Sequence, residues 1–236
     1  MFAVIMAGGE GTRFWPRSRR SRPKQFLNIF GSGTLLQQAY SRIRPLLPPE
    51  RIFVVTLSQS YGEVSTQIPE LPKENIILEP LGKNTAPCVG LAALFLQKKQ
   101  PDAVMVVLAA DHLIKDEPTF REAIKISAHV ARVTDYVVTL GITPTHPETG
   151  YGYIQMGEIL PLENVPQIFK VLRFTEKPDL KLATKFVEDG SYLWNSGMFI
   201  WRIDTLLDLI KRHHPDLYGG LQVVNAAIGT SDEQKA

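Results

Sequence analysis

A glycine loop that runs directly into a cluster of cations is suited to holding a small polyanion. Ala7-Gly-Gly-Glu-Gly-Thr-Arg13 supplies the loop. Glycines carry no Cβ, so backbone N–H groups at Gly8, Gly9 and Gly11 could approach phosphate oxygens closely. The dinucleotide fingerprint fails, because Gly9-Glu-Gly11 would need a third glycine where Phe14 stands. The Walker A pattern fails as well, since no Gly-Lys-Ser/Thr follows. A tight turn is the alternative reading of the loop. Residues 13–24 then carry Arg13, Arg17, Arg19, Arg20, Arg22 and Lys24 with no acid among them. A nucleic-acid surface would interleave aromatics or spread its cations along a face. Only Phe14 and Trp15 are aromatic within this run, and its place after the glycines points instead to a compact anion. Pro23-Lys24-Gln25-Phe26 would set an ammonium near the outer phosphates; an ordinary surface lysine is the competing reading.

A carboxylate of the right kind lies farther along, in Ala109-Ala-Asp111-His112. Asp111 falls just past the end of an apolar run that reads as a strand, where open α/β sheets bind ligands. Mg²⁺ prefers one or two carboxylates plus substrate phosphates, so Asp111 is the candidate metal ligand. A helix cap or turn aspartate would look the same. His112 reads as a packing or turn histidine, and His129, His146, His213 and His214 show no ligand spacing. Gly82-Lys-Asn-Thr-Ala-Pro87 lies between a strand and a helix start, where Asn84 and Thr85 could hold a base or ribose and would also cap the helix. Glu176-Lys-Pro178 and Trp194-Asn-Ser-Gly197 offer a carboxylate, an amide and a lysine. Converging on one pocket, they would grip sugar hydroxyls and a sugar phosphate; taken singly, each reads as a surface loop.

The elements that must position these residues follow from hydrophobic patterning. Phe2–Ala7, 52–56, 75–79 and 103–109 read as strands, the first and last apolar on both faces and therefore central. Helices are expected from a Thr34 cap to about Arg44, from Asn84 or Thr85 to Lys98 with Pro87 in the first turn, and over 118–132. Asp135–Leu140 reads as a fifth strand. Strand–helix alternation predicts an α/β fold: a doubly wound, mostly parallel, Rossmann-like mixed sheet with helices on both faces. After Gly141 the rhythm changes. Residues 152–156 and 167–175 suit a small antiparallel flank, followed by helix 180–189, strand 196–200 and helix 204–212. Residues 229–236 read as a frayed end. The expected organisation is one domain over 1–236, with a nucleotide half of about 1–141 and a sugar-phosphate half of about 142–215.

Composition narrows the class further. The chain has 236 residues, 44% hydrophobic and 21% charged, which is a globular balance rather than a disordered or fibrous one. Its longest apolar run, Ala103–Ala110, is far short of the roughly 20 residues needed to span a bilayer. Phe2–Ala7 is apolar but short and follows no basic segment, which argues against a secretory signal. The single cysteine, Cys88, excludes an internal disulfide framework and a cysteine-based zinc cluster. Cytoplasm is the expected compartment, with no membrane and no nucleic acid as partner. The formal charge of +2 hides a strongly cationic segment on an otherwise net-negative body.

Taken together, AGGEGTRFWPRSR, PKQFL, EPLGKNTAP, VLAADHLI, VTLGITPTHPETGYGYI, FTEKP and WNSGMF occur in one order over most of residues 2–200. In this the chain resembles the mannose-1-phosphate guanylyltransferases, within the nucleotide-sugar pyrophosphorylases of the nucleotidyltransferase family. The resemblance implies that GTP and mannose 1-phosphate react to GDP-mannose and pyrophosphate, with Mg²⁺ as cofactor. It implies that Gly8, Gly9, Gly11, Thr12, Arg13 and Lys24 hold the triphosphate and that Asn84 and Thr85 hold the nucleoside. Asp111 would bind the metal, and Gly152, Glu176, Lys177 and Asn195 the sugar phosphate; Arg13, Lys24, Asp111 and Lys177 would be the catalytic set. Family members carry a second metal-binding aspartate that has no counterpart after Asn195, where Asp204 and Asp208 fall on an amphipathic helix. Two expectations follow: the chain stops before a C-terminal segment, or its metal site is incomplete.

The chemistry so implied needs no general base. A sugar phosphate has a second pKa of about 6 and is largely ionised at neutral pH. The difficulty is bringing two anions together, so positioning and charge neutralisation carry the catalysis of a direct in-line attack on the α-phosphorus. The alternatives are another sugar-1-phosphate nucleotidylyltransferase and a nucleotide-sugar-binding module with impaired turnover. Self-association into a homo-oligomer is left open.

Overall fold

The computed structural model describes residues 1–9, 15–19, 23–29, 31, 33–79, 82, 85–162, 165 and 168–230. In chain order its principal elements are β1 (Phe2–Met6), α1 (Leu35–Ile43), β2 (Ile52–Leu57), α2 (Tyr61–Gln67), β3 (Ile76–Glu79), α3 (Thr85–Lys99), β4 (Val104–Ala109), α4 (Glu117–Val133) and β5 (Val138–Ile142). They continue with β6 (Gly152–Ile159), β7 (Phe169–Glu176), α5 (Leu180–Asp189), β8 (Tyr192–Arg202), α6 (Ile203–His213) and α7 (Pro215–Ala227). The chain divides into two compact units, Met1–Val137 with Ile200–Ala236, and Val138–Phe199.

In the first unit the strands run in the order β3-β2-β1-β4, all parallel. Ala3, Val4 and Ile5 of β1 and Val106 and Val107 of β4 are fully buried, as continuous apolar runs in central parallel strands require. The connections β1→β2→β3 step one way along the sheet and β3→β4 steps back. Right-handed crossovers therefore place α1 and α2 on one face and α3 on the other. α1 packs against α4, while α3 packs against α6 and α7. Thr34 caps α1 as expected: its Oγ1 accepts from the Gln37 N–H, and its own N–H donates to Gln37 Oε1 at 2.9 Å. This reciprocal box satisfies two otherwise orphaned donors.

α3 is buried on more than one side, with Val89, Ala92, Ala93, Leu94 and Leu96 all inside. A Cβ at Gly90 would lie 2.7 Å from Leu221 Cδ1, so the glycine sets how closely α3 and α7 approach. Ile203 N–H donates to the Ala103 carbonyl at 3.0 Å, which ties the chain after β8 to β4. For these reasons the chain from Ile200 onward groups with the first unit.

The second unit is antiparallel: β6 pairs with both β7 and β8, and β5 pairs with β8. Its core is Tyr153, Ala183, Phe186 and Trp194, with Asp179 capping α5 through the Leu182 N–H at 2.8 Å. Two expectations need correction. The fifth strand begins at Val138, because Tyr136 and Val137 are exposed and Thr134 Oγ1 accepts from Tyr136 N–H in a local turn. The strand expected over 196–200 spans Tyr192–Arg202. Its interior Gly197 sits at φ +69°, a conformation favouring glycine, and this let the stretch pass for a loop. Among the described residues no helix is long and apolar enough to cross a membrane.

Candidate functional site

β1 and β4 are parallel neighbours, and the strand order β3-β2-β1-β4 doubles back between them, so their carboxyl ends form the switch point of the sheet. Met6 is in register with Ala109. Beyond that pair Ala110 N–H donates to the Met6 carbonyl at 3.2 Å, and Ala7 N–H donates to the Val55 carbonyl at 2.8 Å. Both strands thus deliver their next residues to one place. Gly8 and Gly9 follow β1, with Gly9 at φ +96°, where side chains are strained. A Cβ at Gly8 would meet Glu79 Oε2 at 3.2 Å. A cavity of about 380 Å³ opens here, lined by Gly8, Gly9, Lys24, Gln25, Glu79, Gly82, Thr85, Cys88, Ala110 and Asp111.

Lys24 starts a short 3-10 turn anchored by the buried Gln25, Phe26 and Leu27. Gln25 Nε2 donates to the Ala7 carbonyl at 2.6 Å, and Thr56 Oγ1 donates to the same oxygen at 3.1 Å. The turn is thereby fastened to the tip of β1, and the Lys24 ammonium pairs with the Asp111 carboxylate 87 residues away. Burial alone would raise the Asp111 carboxyl. The hydrogen bond and charge of Lys24 outweigh it, with His112 assisting, and hold the group below its usual range. Arg42 Nη2 donates to the His112 carbonyl at 3.1 Å, pinning the segment after β4. His112 is half-buried, and desolvation lowers its imidazole below the ordinary range with the Asp111 charge opposing, in keeping with a turn histidine.

Glu79, the last residue of β3, is 6% exposed and faces the cavity. Cys88, from the first turns of α3, lines the same cavity. Burial raises the Glu79 carboxyl above its ordinary 4.5, with the nearby Cys88 partly opposing. A folded value above the unfolded one means that stability is full below that ordinary value and falls as pH rises through the folded value. Glu79→Gln is accordingly expected to raise the melting temperature near pH 7, with the gain vanishing as pH drops below the ordinary carboxyl range. Thermal melts of both proteins from pH 4 upward would check this; an equal gain at every pH would contradict it.

The expected site residues divide between the two units. In the first, Gly8, Gly9, Lys24, Thr85 and Asp111 line one cavity; Gly11, Thr12, Arg13 and Asn84 lie outside the described residues. In the second, Gly152 pairs with Glu176 across β6 and β7. A Cβ at Gly152 would lie 2.8 Å from Glu176 Oε2. Lys177 follows with φ 45°; its N–H donates to the Tyr151 carbonyl at 3.2 Å and its Nζ to Glu176 Oε1 at 2.6 Å. Asn195 is engaged elsewhere: its Oδ1 accepts from Thr139 Oγ1 and from Gly197 N–H, each at 3.1 Å. Asp204 is bonded by Arg202 and Asp208 pairs with Arg212, so both serve α6. Among the described residues no three His, Cys, Asp or Glu side chains cluster as a metal cage. Asp111 alone suits a Mg²⁺ ion that completes its shell with substrate phosphates and water. Glu79, Gln25 and Cys88 were not picked out by sequence reasoning. The signal for Glu79 was the one that revealed Asp111: an acid at the carboxyl end of a parallel strand.

Comparison with known proteins agrees with this fold. The family model described as nucleotidyl transferase matches residues 2–231. The chain is 43% identical over 235 residues to a Klebsiella pneumoniae mannose-1-phosphate guanylyltransferase, covering 98% of this chain and 49% of that protein. A Salmonella montevideo mannose-1-phosphate guanylyltransferase is 47% identical over 219 residues, covering 91% of this chain and 45% of that one. The chain thus spans about half the length of the curated relatives it matches. A Thermus thermophilus crystal structure described as a mannose-1-phosphate geranyltransferase superposes with TM-score 0.86 at 37% identity, covering 99% of this chain and 66% of that one. A Helicobacter pylori structure described as a mannose-6-phosphate isomerase gives 0.76 at 28% identity, with 96% and 81% covered.

Proposed function

The chain belongs to the nucleotidyl transferase family, and we propose that it transfers the guanylyl group of GTP to mannose 1-phosphate, releasing GDP-mannose and pyrophosphate. The observation that carries this reading is the meeting of Lys24 and Asp111 at the switch point of a parallel sheet, beside Gly8 and Gly9. A cation, a carboxylate and open backbone amides in one cavity are what a metal-bound triphosphate requires. The guanylyltransferase names of relatives at 43% and 47% identity support the nucleotide and the sugar.

In the reaction a sugar-phosphate oxygen bonds to the α-phosphorus while the bond from that phosphorus to the bridging oxygen of pyrophosphate breaks. The nucleophile is already ionised, so no side chain has to take its proton. The Gly8 and Gly9 amides would receive phosphate oxygens, and Lys24 would turn from Asp111 to the charge of the departing pyrophosphate. Asp111 would hold a Mg²⁺ ion, whose charge when bound would offset that of the phosphates. Glu79 gives a physical basis for choosing guanine. Its carboxylate would accept from guanine N1–H and the 2-amino group, whereas adenine offers only a lone pair at N1. Glu176 and Lys177, joined at the end of β7, would take sugar hydroxyls and the sugar phosphate.

The test is pyrophosphate release from GTP, mannose 1-phosphate and Mg²⁺, repeated with glucose 1-phosphate and with ATP, UTP and dTTP. Release is expected with GTP and mannose 1-phosphate and at least tenfold slower with the other pairs. Equal or faster release with another pair would reassign the substrates; tight GDP-mannose binding without release from any pair would make the chain a binding module.

A further inference from the structure

Arg42 is a buried cation on α1, 4% exposed, that takes no direct part in the proposed chemistry. The carboxylate whose charge it feels, that of Glu117, is bonded instead by Arg121 at 3.0 Å. Its own hydrogen bond runs from Nη2 to the His112 carbonyl, 3.1 Å away and 70 residues along the chain. The guanidinium also lies over the Phe120 ring of α4, with Cζ 5.9 Å from the ring centroid, within reach of a cation–π attraction. The next residue of α4, Arg121, donates from Nη1 to the Arg42 carbonyl at 3.4 Å. Side chain and backbone of Arg42 are thus both held. Burying a charge without a carboxylate bonded to it is costly, and an apolar side chain of similar length would fill the place without that cost. The target of the hydrogen bond supplies the reason for a cation here, because His112 directly follows Asp111.

The turn that carries Asp111 needs such a tie. Before it the backbone is fixed, since Ala110 N–H donates to the Met6 carbonyl at 3.2 Å. After it, no backbone–backbone hydrogen bond holds residues 111–115 among the described residues. The next local anchor is Asp116, which caps α4 by accepting from Thr119 N–H at 3.0 Å. We propose that Arg42 is a positioning residue: its bond to the His112 carbonyl fixes the turn and so holds the Asp111 carboxylate in place for a divalent cation and for Lys24. This rests on the reading of Asp111 as the metal ligand and adds the element that locks it. A charge-assisted bond suits the task, being roughly twice as strong as a neutral one.

Two measurements on the full chain, in the parent protein, Arg42→Met and Arg42→Lys, test this. Methionine keeps an unbranched stem and removes the donor; lysine keeps a cation on a shorter arm. The first measurement is the backbone amide order parameter from ¹⁵N relaxation, without nucleotide or metal. Residues 111–113 are expected near the rigid value of about 0.85 in the parent and to fall toward about 0.6 in Arg42→Met, with Arg42→Lys between them and β4 unchanged in all three. The second is pyrophosphate release as Mg²⁺ is varied. In Arg42→Met kcat is expected to fall by about tenfold or more, as displacement of a catalytic group by a fraction of an ångström implies. The half-saturating Mg²⁺ concentration should rise, the KM for mannose 1-phosphate should stay as in the parent, and Arg42→Lys should recover part of the loss. Parental order parameters in a folded Arg42→Met protein would overturn the clamp. A loosened turn with parental kcat and Mg²⁺ dependence would overturn its part in placing Asp111. A parent turn already near 0.6 would overturn the proposal without any variant. Normal turnover in Asp111→Ala would remove the metal reading, and the order parameters would still report on the clamp.

Discussion

Asp111→Ala is expected to slow Mg²⁺-dependent pyrophosphate release by about a hundredfold or more, the loss typical when a charge-stabilising group is removed from a site of this kind. The reason lies in what surrounds the carboxylate. It stands at the tip of β4 in a largely desolvated place, yet Lys24 holds it ionised. Among the described residues no group of three His, Cys, Asp or Glu side chains surrounds a metal position, so the site has no ready-made cage to take over from it. The fold should survive. The side chain is a quarter exposed, the strand before it is fixed by register with β1, and Arg42 secures the following residue through a backbone carbonyl. Circular dichroism and a melting curve close to those of the parent protein, together with the kinetic loss, would be the full result. Normal turnover in the variant would remove Asp111 from the mechanism.

Lys24→Met should reduce turnover by a comparable factor, about two orders of magnitude, for two separable reasons. It deletes the cation placed to meet the departing pyrophosphate, and it frees the Asp111 carboxylate from the partner that offsets its burial. The second effect has its own signature. With Lys24 gone, the desolvation of Asp111 is less opposed, so its carboxyl rises, and the low-pH limb of activity should move to higher pH. A pH profile of residual activity distinguishes this from simple loss of GTP affinity, which would lower the curve without moving it. Because the two residues act on one another, the Lys24→Met, Asp111→Ala double variant should be little slower than either single variant. Multiplicative losses in the double variant would show that the residues work independently.

Much of this site could be read before any coordinates. The β1 and β4 runs are apolar on both faces, which marks central strands, and Asp111 stands where such a strand ends. Thr34, as a cap, marks the start of α1. The partnership of Lys24 with Asp111 could only be supposed, because a separation of 87 residues leaves no periodic trace. Glu79 escaped notice because a terminal glutamate before a proline looks like the solvated end of a strand; its burial arises from α3 and Gly8 folding over it. α7 was hidden by Gly219 and Gly220, which weaken a helical pattern, and α2 by its shortness, with only Val64 buried. The glycines and Arg13 that first suggested a polyanion lie partly outside the described residues, so the cavity is argued from its other walls.

The first unit is interrupted in sequence: residues 138–199 intervene between its two segments, and α6 and α7 cover α3 only after that stretch has been made. On a ribosome, which emits residues in order at about 5–20 per second, α3 therefore waits several seconds for its cover. Throughout that interval it presents the aliphatic surface later hidden by Ile210 and Leu221. The nascent protein is thus most exposed to sticking and to chaperone capture after its parallel strands have emerged and before its last two helices arrive.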